Sequence, residues 1–386
     1  MLVIVALIGA YRAFDDARYA YLGVSNPQVA RGLRPADAIG LMRDFDRRAA
    51  EVGDVPITLD EAKQLRQSLA RSALDRRALR GLALEAAGRT DAKTMHRAMV
   101  LADAVSRRDA PTQLLLIEYA VERGDVPGAV THYHRAMAVH PELEKVLLPI
   151  LAQAISGADV RTAIAPYIAL PAPWSLAMLN AGLASANARD VASLVLPIAR
   201  SVGSKPFEDT IARLLSKLAF DGEFPMATRL AKAIWPDLDA SSFAVTEATS
   251  DPRLGSLSWS LAGGGAMVAS ANNAGGFDVT VNAFGSSTVA SRTIAVQPGA
   301  SYVFSHGLKS SIDASPANMK WQAFCLPGSK QLIWEQKLPA DATRGFMSVL
   351  SVPASCKGIS LDLTTSGSDQ ASNTVFNFEN LRLSRR

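Results

Sequence analysis

The sequence predicts a multidomain chain that runs α then β, an α-helical solenoid followed by a C-terminal antiparallel β-sandwich of jelly-roll type. Three observations predict it. Composition changes near residue 240, from Ala, Leu and Arg to Ser, Gly, Thr and Val. Before that point apolar residues recur at helical spacing, and Pro111, Pro141, Pro173, Pro206 and Pro236 stand 30, 32, 33 and 30 residues apart. After it, short alternating runs are separated by turn signals.

Bulk properties narrow the function classes. Of the 386 residues, 48 % are hydrophobic, which is enough for sizeable cores and too many for general disorder. There are 40 basic and 36 acidic residues, a formal charge of +4. From Ser241 onward the count is 11 Lys/Arg against 9 Asp/Glu, so both halves are evenly mixed. A nucleic-acid footprint needs clustered Lys and Arg, so no nucleic-acid partner is expected.

The expected organisation is a possible membrane-anchor remnant at 1–20, a connector at 21–60, a helical-repeat domain at 61–240 and a β-sandwich at 241–386. Met1–Ala10 reads MLVIVALIGA, with no charge before Arg12. That run is shorter than the roughly 20 residues a spanning helix needs, and it lacks a basic signal-peptide start. The tail of a membrane anchor, a signal-peptide core and a buried helix all remain open. In the connector, Asn26-Pro27, Gly32, Pro35 and Gly53-Asp54 interrupt the pattern, and Ala36–Val52 is expected to form one helix with Asp37 near its start.

The array is clearest between Pro111 and Pro141. Leu114 to Ile117 and Ala120 supply the apolar side of a first helix, Gly124-Asp125 makes the turn, and Ala129, Tyr133 and Ala136 line a second. Leu116, Ile117, Ala120, Gly124, Ala129, Tyr133, Ala136 and Pro141 stand at the offsets of the tetratricopeptide family, and the segment resembles that repeat. Ile117 replaces its small residue and Gln113 its early tryptophan. Leu69–Ala87 with Asp91–Arg107 is expected to form the preceding pair. Glu142–Ile155 with Asp159–Leu170, Trp174–Ala186 with Asp190–Ser201, and Phe207–Asp221 with Phe224–Ile234 follow as looser pairs. The resemblance implies a concave face that holds peptides or protein partners.

Ten strands are expected after the boundary: Phe243–Thr249, Ser256–Ala262, Phe277–Ala283, Thr288–Val296, Tyr302–Ser305, Met319–Cys325, Gln331–Gln336, Phe346–Val352, Ile359–Thr364 and Thr374–Leu383. A Pro-Gly turn leading into Tyr302-Val303-Phe304, a central strand with Trp321, and the closing run Phe376 to Leu383 resemble jelly-roll carbohydrate-binding modules and galactose-binding-like domains. That resemblance implies a glycan ligand. Trp334, Trp259 and Tyr302 are the candidate rings for stacking on sugar, with Trp334 favoured by its polar flanks. The competing reading places such rings, Trp321 foremost, in the core.

Cys325 and Cys356 are the two cysteines, with no CxxC spacing for zinc. A disulfide and two buried thiols are the readings left. A bridge closing about 31 residues would stabilise by about 3–4 kcal/mol and would mean an oxidising compartment. His132 and His134 lie about 200° apart on a helix, cannot chelate one metal together, and are read as a solvated face. No HExxH, Walker or nucleophile-elbow pattern occurs, so neither cofactor nor metal is expected. Gly263-Gly264-Gly265 lacks the strand-and-helix context of a phosphate cradle, and Arg123-Gly124-Asp125 is read as an inter-helix turn rather than an adhesion tripeptide. Carboxylates show no glycosidase pairing.

The expectation is a non-catalytic scaffold in the periplasm, anchored in the inner membrane. Its array would hold a protein partner and its sandwich a polysaccharide or protein, by analogy in exopolysaccharide assembly or export. A secreted or surface glycan-binding protein with the array as spacer is the alternative, and a glycan-processing enzyme the second.

Overall fold

The structure is a computed structural model. It describes residues 14–19, 21–22, 24–34, 37–53, 55–238, 243, 250–264, 267–272, 275–281, 286–310, 318–328, 331–338, 345–366 and 374–386. Met1–Ala10, read as an anchor remnant, lies outside them. Among the described residues no helix is long and apolar enough to cross a membrane. The chain divides into two compact units, Met1–Leu147 and Leu148–Arg386.

In the first unit, α1 (Pro27–Leu33), α2 (Ala38–Val52), α3 (Leu59–Arg71), α4 (Arg76–Gly88), α5 (Ala92–Val105), α6 (Ala110–Glu122) and α7 (Val126–Val139) follow in order. Local chemistry sets their starts. Asp37 accepts from Ile39 N, Thr58 and Glu61 form a capping box, and Asp75, Asp91, Asp109 and Asp125 cap the next four helices. Capping divides the expected helix Leu69–Ala87: residues 69–71 finish α3, and Asp75 starts α4. Among its described residues, the segment expected to be a connector includes helices α1 and α2. Leu41, Met42 and Phe45 of α2 share an apolar core with Ala62 and Leu65 of α3 and Ala78 of α4.

Leu116, Ala120, Ala129, Tyr133 and Ala136 are buried in the α6–α7 hairpin, and Ile117 with them. Gly124 makes the turn at φ +68°, where side chains other than hydrogen are strained. Pro141 opens the short 3₁₀ turn Pro141–Leu143.

Helix α8 (Glu144–Ala154) crosses the division between units. The second unit continues with α9 (Ala158–Ala169), α10 (Ser175–Ser185), α11 (Ala188–Val195), α12 (Glu208–Phe220) and α13 (Phe224–Ile234). Ile211, Leu214, Leu215 and Leu218 of α12 are fully enclosed, each worth about 2 kcal/mol of burial.

The same unit contains the sandwich, two five-stranded antiparallel sheets. One has the order β1 (Ser260–Leu261), β4 (Ser286–Ala295), β9 (Gly358–Ser366), β6 (Met319–Leu326), β7 (Gln331–Lys337). The other has β2 (Met267–Ala271), β3 (Phe277–Val281), β10 (Thr374–Arg385), β5 (Ser301–Ser310), β8 (Phe346–Ser351). Alternation puts Phe277, Val279 and Val281 of β3 inside, facing Leu361 and Leu363 of β9 in a shared core.

Two strand expectations change. The expected strand Ser256–Ala262 begins instead as a 3₁₀ segment, Pro252–Leu257, and only Ser260–Leu261 pair in a sheet. Strand β2 was not foreseen, because Met267–Ala271 is short and small-residued. The expected strand Phe243–Thr249 falls almost wholly outside the described residues.

The 3₁₀ segment explains why the composition shift near residue 240 is not where packing divides. Gly255, at φ +54°, lies so close to α12 that an added Cβ would sit 2.3 Å from Ala212 O. Ser256 N donates to Ser216 Oγ of α12 at 2.9 Å, and its carbonyl accepts from Thr293 Oγ1 of β4 at 2.9 Å. The last helices and the sandwich therefore pack as one body, and the change of composition marks a change of secondary structure within it.

Candidate functional site

A cleft of about 480 Å³ opens in the first unit between α5, α6 and α7. Its polar wall is assembled from three helices. Gln113 is fully buried on α6, where its Nε2 donates to Asp103 Oδ1 of α5 at 2.7 Å. Its Oε1 is then the acceptor for His132 Nδ1 of α7, at 2.8 Å. This fixes the imidazole hydrogen on Nδ1 and leaves Nε2 as an acceptor. Asp103 Oδ2 accepts from Arg135 Nη1 at 2.8 Å.

The opposite part of the cleft is aromatic. The His96 ring stacks on Tyr119 with centroids 4.4 Å apart and planes 14° from parallel. The Arg123 guanidinium carbon stands 5.5 Å from the Tyr119 centroid. His96 Nδ1 is enclosed and has no hydrogen-bond partner among the described residues.

Electrostatics keep this wall neutral at its centre. Burial first, and Arg135 second, hold His132 below the ordinary histidine range. His134 is shifted the same way by the same two causes. The two histidines were read as a solvated face. Both are half-buried, and His132 is tied into the cleft wall. The reason for the tie is Gln113: its amide is buried on α6, and a buried amide needs partners.

Of the three stacking candidates of the sandwich, one is sealed in the core and two are half-buried. Trp259 is 1 % exposed and packs against Phe277 and Trp321, with centroids 5.4 and 6.0 Å away, so it offers no face to a sugar. Tyr302 is half-buried, and its hydroxyl accepts from Gln297 N at 2.8 Å. Trp334 is half-buried on the edge strand β7, its ring edge-on to Phe304 at 6.2 Å. All three are partly or wholly occupied by the core, because large rings dominate its packing. Trp321 is likewise fully enclosed.

Trp321 also holds a group that the sequence did not single out. Its Nε1 donates to His306 Nε2 at 3.0 Å, and His306 Nδ1 pairs with Gly307 O at 3.0 Å. His306 is 3 % exposed and stacks on Phe346 at 4.8 Å. Burial pushes its pKa down to about 4, so it stands neutral in the core. In the sandwich core, Cys325 and Cys356 are joined in a disulfide, with Cα atoms 5.3 Å apart.

On the side of the β4–β9–β6–β7 sheet facing away from that core, Ser291, Asp362, Gln322 and Glu335 fall in one cross-strand row. Asp362 Oδ1 accepts from Ser291 and Ser360 at 2.7 and 2.8 Å. Glu335 Oε2 accepts from Lys320 and Gln322 at 2.9 and 2.8 Å. Lys320 first, then Gln322, holds the Glu335 carboxyl below its usual range.

No family model matches the chain, and no curated protein matches it. A solved structure titled "CBM4 structure and function" is similar over 31 % of this chain and 78 % of its own, at 14 % identity and a TM-score of 0.25. A likeness at that score carries no argument about fold or function.

Among the described residues no group of three or more His, Cys, Asp or Glu is placed to hold a metal ion. Sequence reasoning missed Asp103, Gln113, Arg135 and His96 as one site. They come from three helices at no fixed spacing, so no local pattern announces them. The one available signal was Gln113, a polar residue beside the apolar run Leu114 to Ile117.

Proposed function

We propose that this chain is a non-catalytic scaffold of an oxidising, extracytoplasmic compartment, with a protein partner held in the cleft of α5, α6 and α7. The observation that carries the reading is the Asp103–Gln113–His132–Arg135 chain of hydrogen bonds beside the His96–Tyr119 stack. It is pre-ordered before any ligand arrives, which lowers the entropy cost of binding. It offers His132 Nε2 as acceptor, the Arg135 and Arg123 guanidinium groups as donors, and an aromatic surface. These groups suit the backbone and side chains of an extended protein segment. The disulfide supports the compartment. A periplasmic place, an inner-membrane anchor and a role in polysaccharide assembly or export belong to the same reading.

A photo-crosslinking residue placed at Val100, in the cleft, tests the reading in cells of the source organism. The expected result is one discrete crosslinked protein, lost when Arg135→Ala and His132→Ala are combined in a chain that keeps its helical circular dichroism. A diffuse smear, or a product indifferent to the double substitution, would count against it.

A second ligand on the sandwich is favoured by the Ser291–Asp362–Gln322–Glu335 row. At the open end of the row, half-buried Gln322 and exposed Glu335 present amide and carboxylate groups that match the hydroxyls of a glycan, while Asp362 is buried behind them. Glycan-array binding that survives Trp334→Ala but is lost on Gln322→Ala with Glu335→Ala would place the sugar on the row. No binding in any of the three chains would remove this part of the reading.

A further inference from the structure

The second unit contains a different cleft, of about 620 Å³, between α13 and the adjoining ends of β4 and β9. Its floor is apolar. Phe224 and Val296 are buried there, with Pro225, Ala295 and Pro298 around them. Phe224 packs so closely on the Gly358 backbone that a Cβ at Gly358 would be 2.1 Å from Phe224 Cε2.

The rim is cationic. Arg229, Lys232 and Lys357 are all exposed, and no carboxylate lines the cleft with them. None of the three makes an ion pair with a described residue; the nearby pairs are Arg189–Glu223 and Arg253–Asp251. Among the described residues, Lys232 Nζ lies over the Phe243 ring, 5.8 Å from its centroid. Three like charges around an apolar floor attract an anion with an apolar body.

The lining decides which kind of anion. Thr228 is the one neutral hydrogen-bonding side chain among the lining residues. Sugar hydroxyls seated on this floor would lose water without gaining partners, which costs about 1–3 kcal/mol each. An acyl chain needs an enclosed channel to leave water, and this cleft is open. A peptide needs to bury one side chain only, with carboxylates on either side of it reaching the rim.

We propose that this cleft binds an acidic protein segment that inserts one large apolar side chain between flanking carboxylates. The site lies within the second unit and uses none of the groups invoked for the helical cleft, so the two readings stand or fall separately.

The test is fluorescence polarisation on the full chain. The probe is a short labelled peptide with glutamates on both sides of one phenylalanine. Two control peptides replace the glutamates by glutamine, or the phenylalanine by glycine. Both controls are expected to bind about tenfold more weakly than the probe, and added salt is expected to weaken only the acidic peptides. Combining Arg229→Gln, Lys232→Gln and Lys357→Gln removes three exposed attractions and is expected to cost about tenfold. A separate variant, Ala295→Trp, fills the cleft from an exposed strand end and is expected to abolish binding, which keeps the test sharp should the triple variant misfold.

Equal binding of the acidic and glutamine peptides would overturn the proposal. So would probe binding unchanged in both variants. Phosphatidylglycerol vesicles and an oligouronate serve as the other arms. If the same substitutions abolish binding to one of these while the peptide does not bind, the occupant is a lipid surface or an acidic glycan, and the proposal fails.

Discussion

The sandwich core and the helical cleft treat an imidazole in opposite ways. In the sandwich, His306 is closed on every side: Nε2 accepts from Trp321, Nδ1 pairs with Gly307 O, and Phe346 covers its face. In the cleft, His132 is satisfied on one side only, through Gln113, and keeps Nε2 open. Both are held below the ordinary histidine range, and burial is the leading cause in each. The same physical shift thus serves two ends. A polar group with all its partners specifies a core, while a polar group with one partner held back presents a pre-formed contact to a ligand.

The largest effect that separates the two regions is expected from the disulfide. All five tryptophans, Trp174, Trp235, Trp259, Trp321 and Trp334, lie in the second unit, so their fluorescence reports that unit alone. Replacing Cys325 and Cys356 together by alanine is expected to cost this fluorescence transition about 3–4 kcal/mol in urea titration. The helical cleft should keep its ligand affinity. A loss of affinity equal to the loss of stability would break the comparison.

Next in size is the pH response of His306. Its folded pKa of about 4 lies below the unfolded value of 6.5. Below pH 6.5 the unfolded chain takes up a proton that the folded chain refuses. The stabilisation is therefore complete above pH 6.5 and is lost progressively as pH falls towards 4, by about 3 kcal/mol in all. His306→Gln keeps an acceptor for Trp321 and has no imidazole, so its stability curve should be flatter over that window. Parallel curves for the two chains would refute the closed-core account.

The smallest effect concerns the cleft. Gln113→Leu removes the amide that joins Asp103 to His132, and is expected to cost about 1–2 kcal/mol by helical circular dichroism. Tryptophan fluorescence should not change. The His132 ring should also lose its fixed tautomer, visible in its ring nitrogen chemical shifts. An unaltered nitrogen spectrum would show that Gln113 does not set the imidazole.

Much of the fold was legible because it rests on local signals. The α6–α7 hairpin follows from Leu116, Ala120, Ala129, Tyr133 and Ala136 at helical spacing, with Gly124-Asp125 as the turn. Strand β3 follows from the strict alternation of Phe277 to Val281. The helix expected over Leu69–Ala87 failed because its period runs on across residues 72–75, where a cap at Asp75 restarts the chain. The sites were less legible. Trp259 and Trp334 have the same composition signal whether they face solvent or core, and only the pairing of two sheets decides which.

By itself the sequence determined the passage from helices to strands, many of the turns between them, and the presence of two cysteines able to meet. These depend on propensity, periodicity and capping, which act within a few residues. Only the tertiary structure decided that Asp103, Gln113 and His132 share one wall, that His306 is sealed beneath Trp321, and that the last helices belong with the sandwich. Those outcomes depend on which surfaces exclude water together, a property of elements distant in the chain that no short window contains.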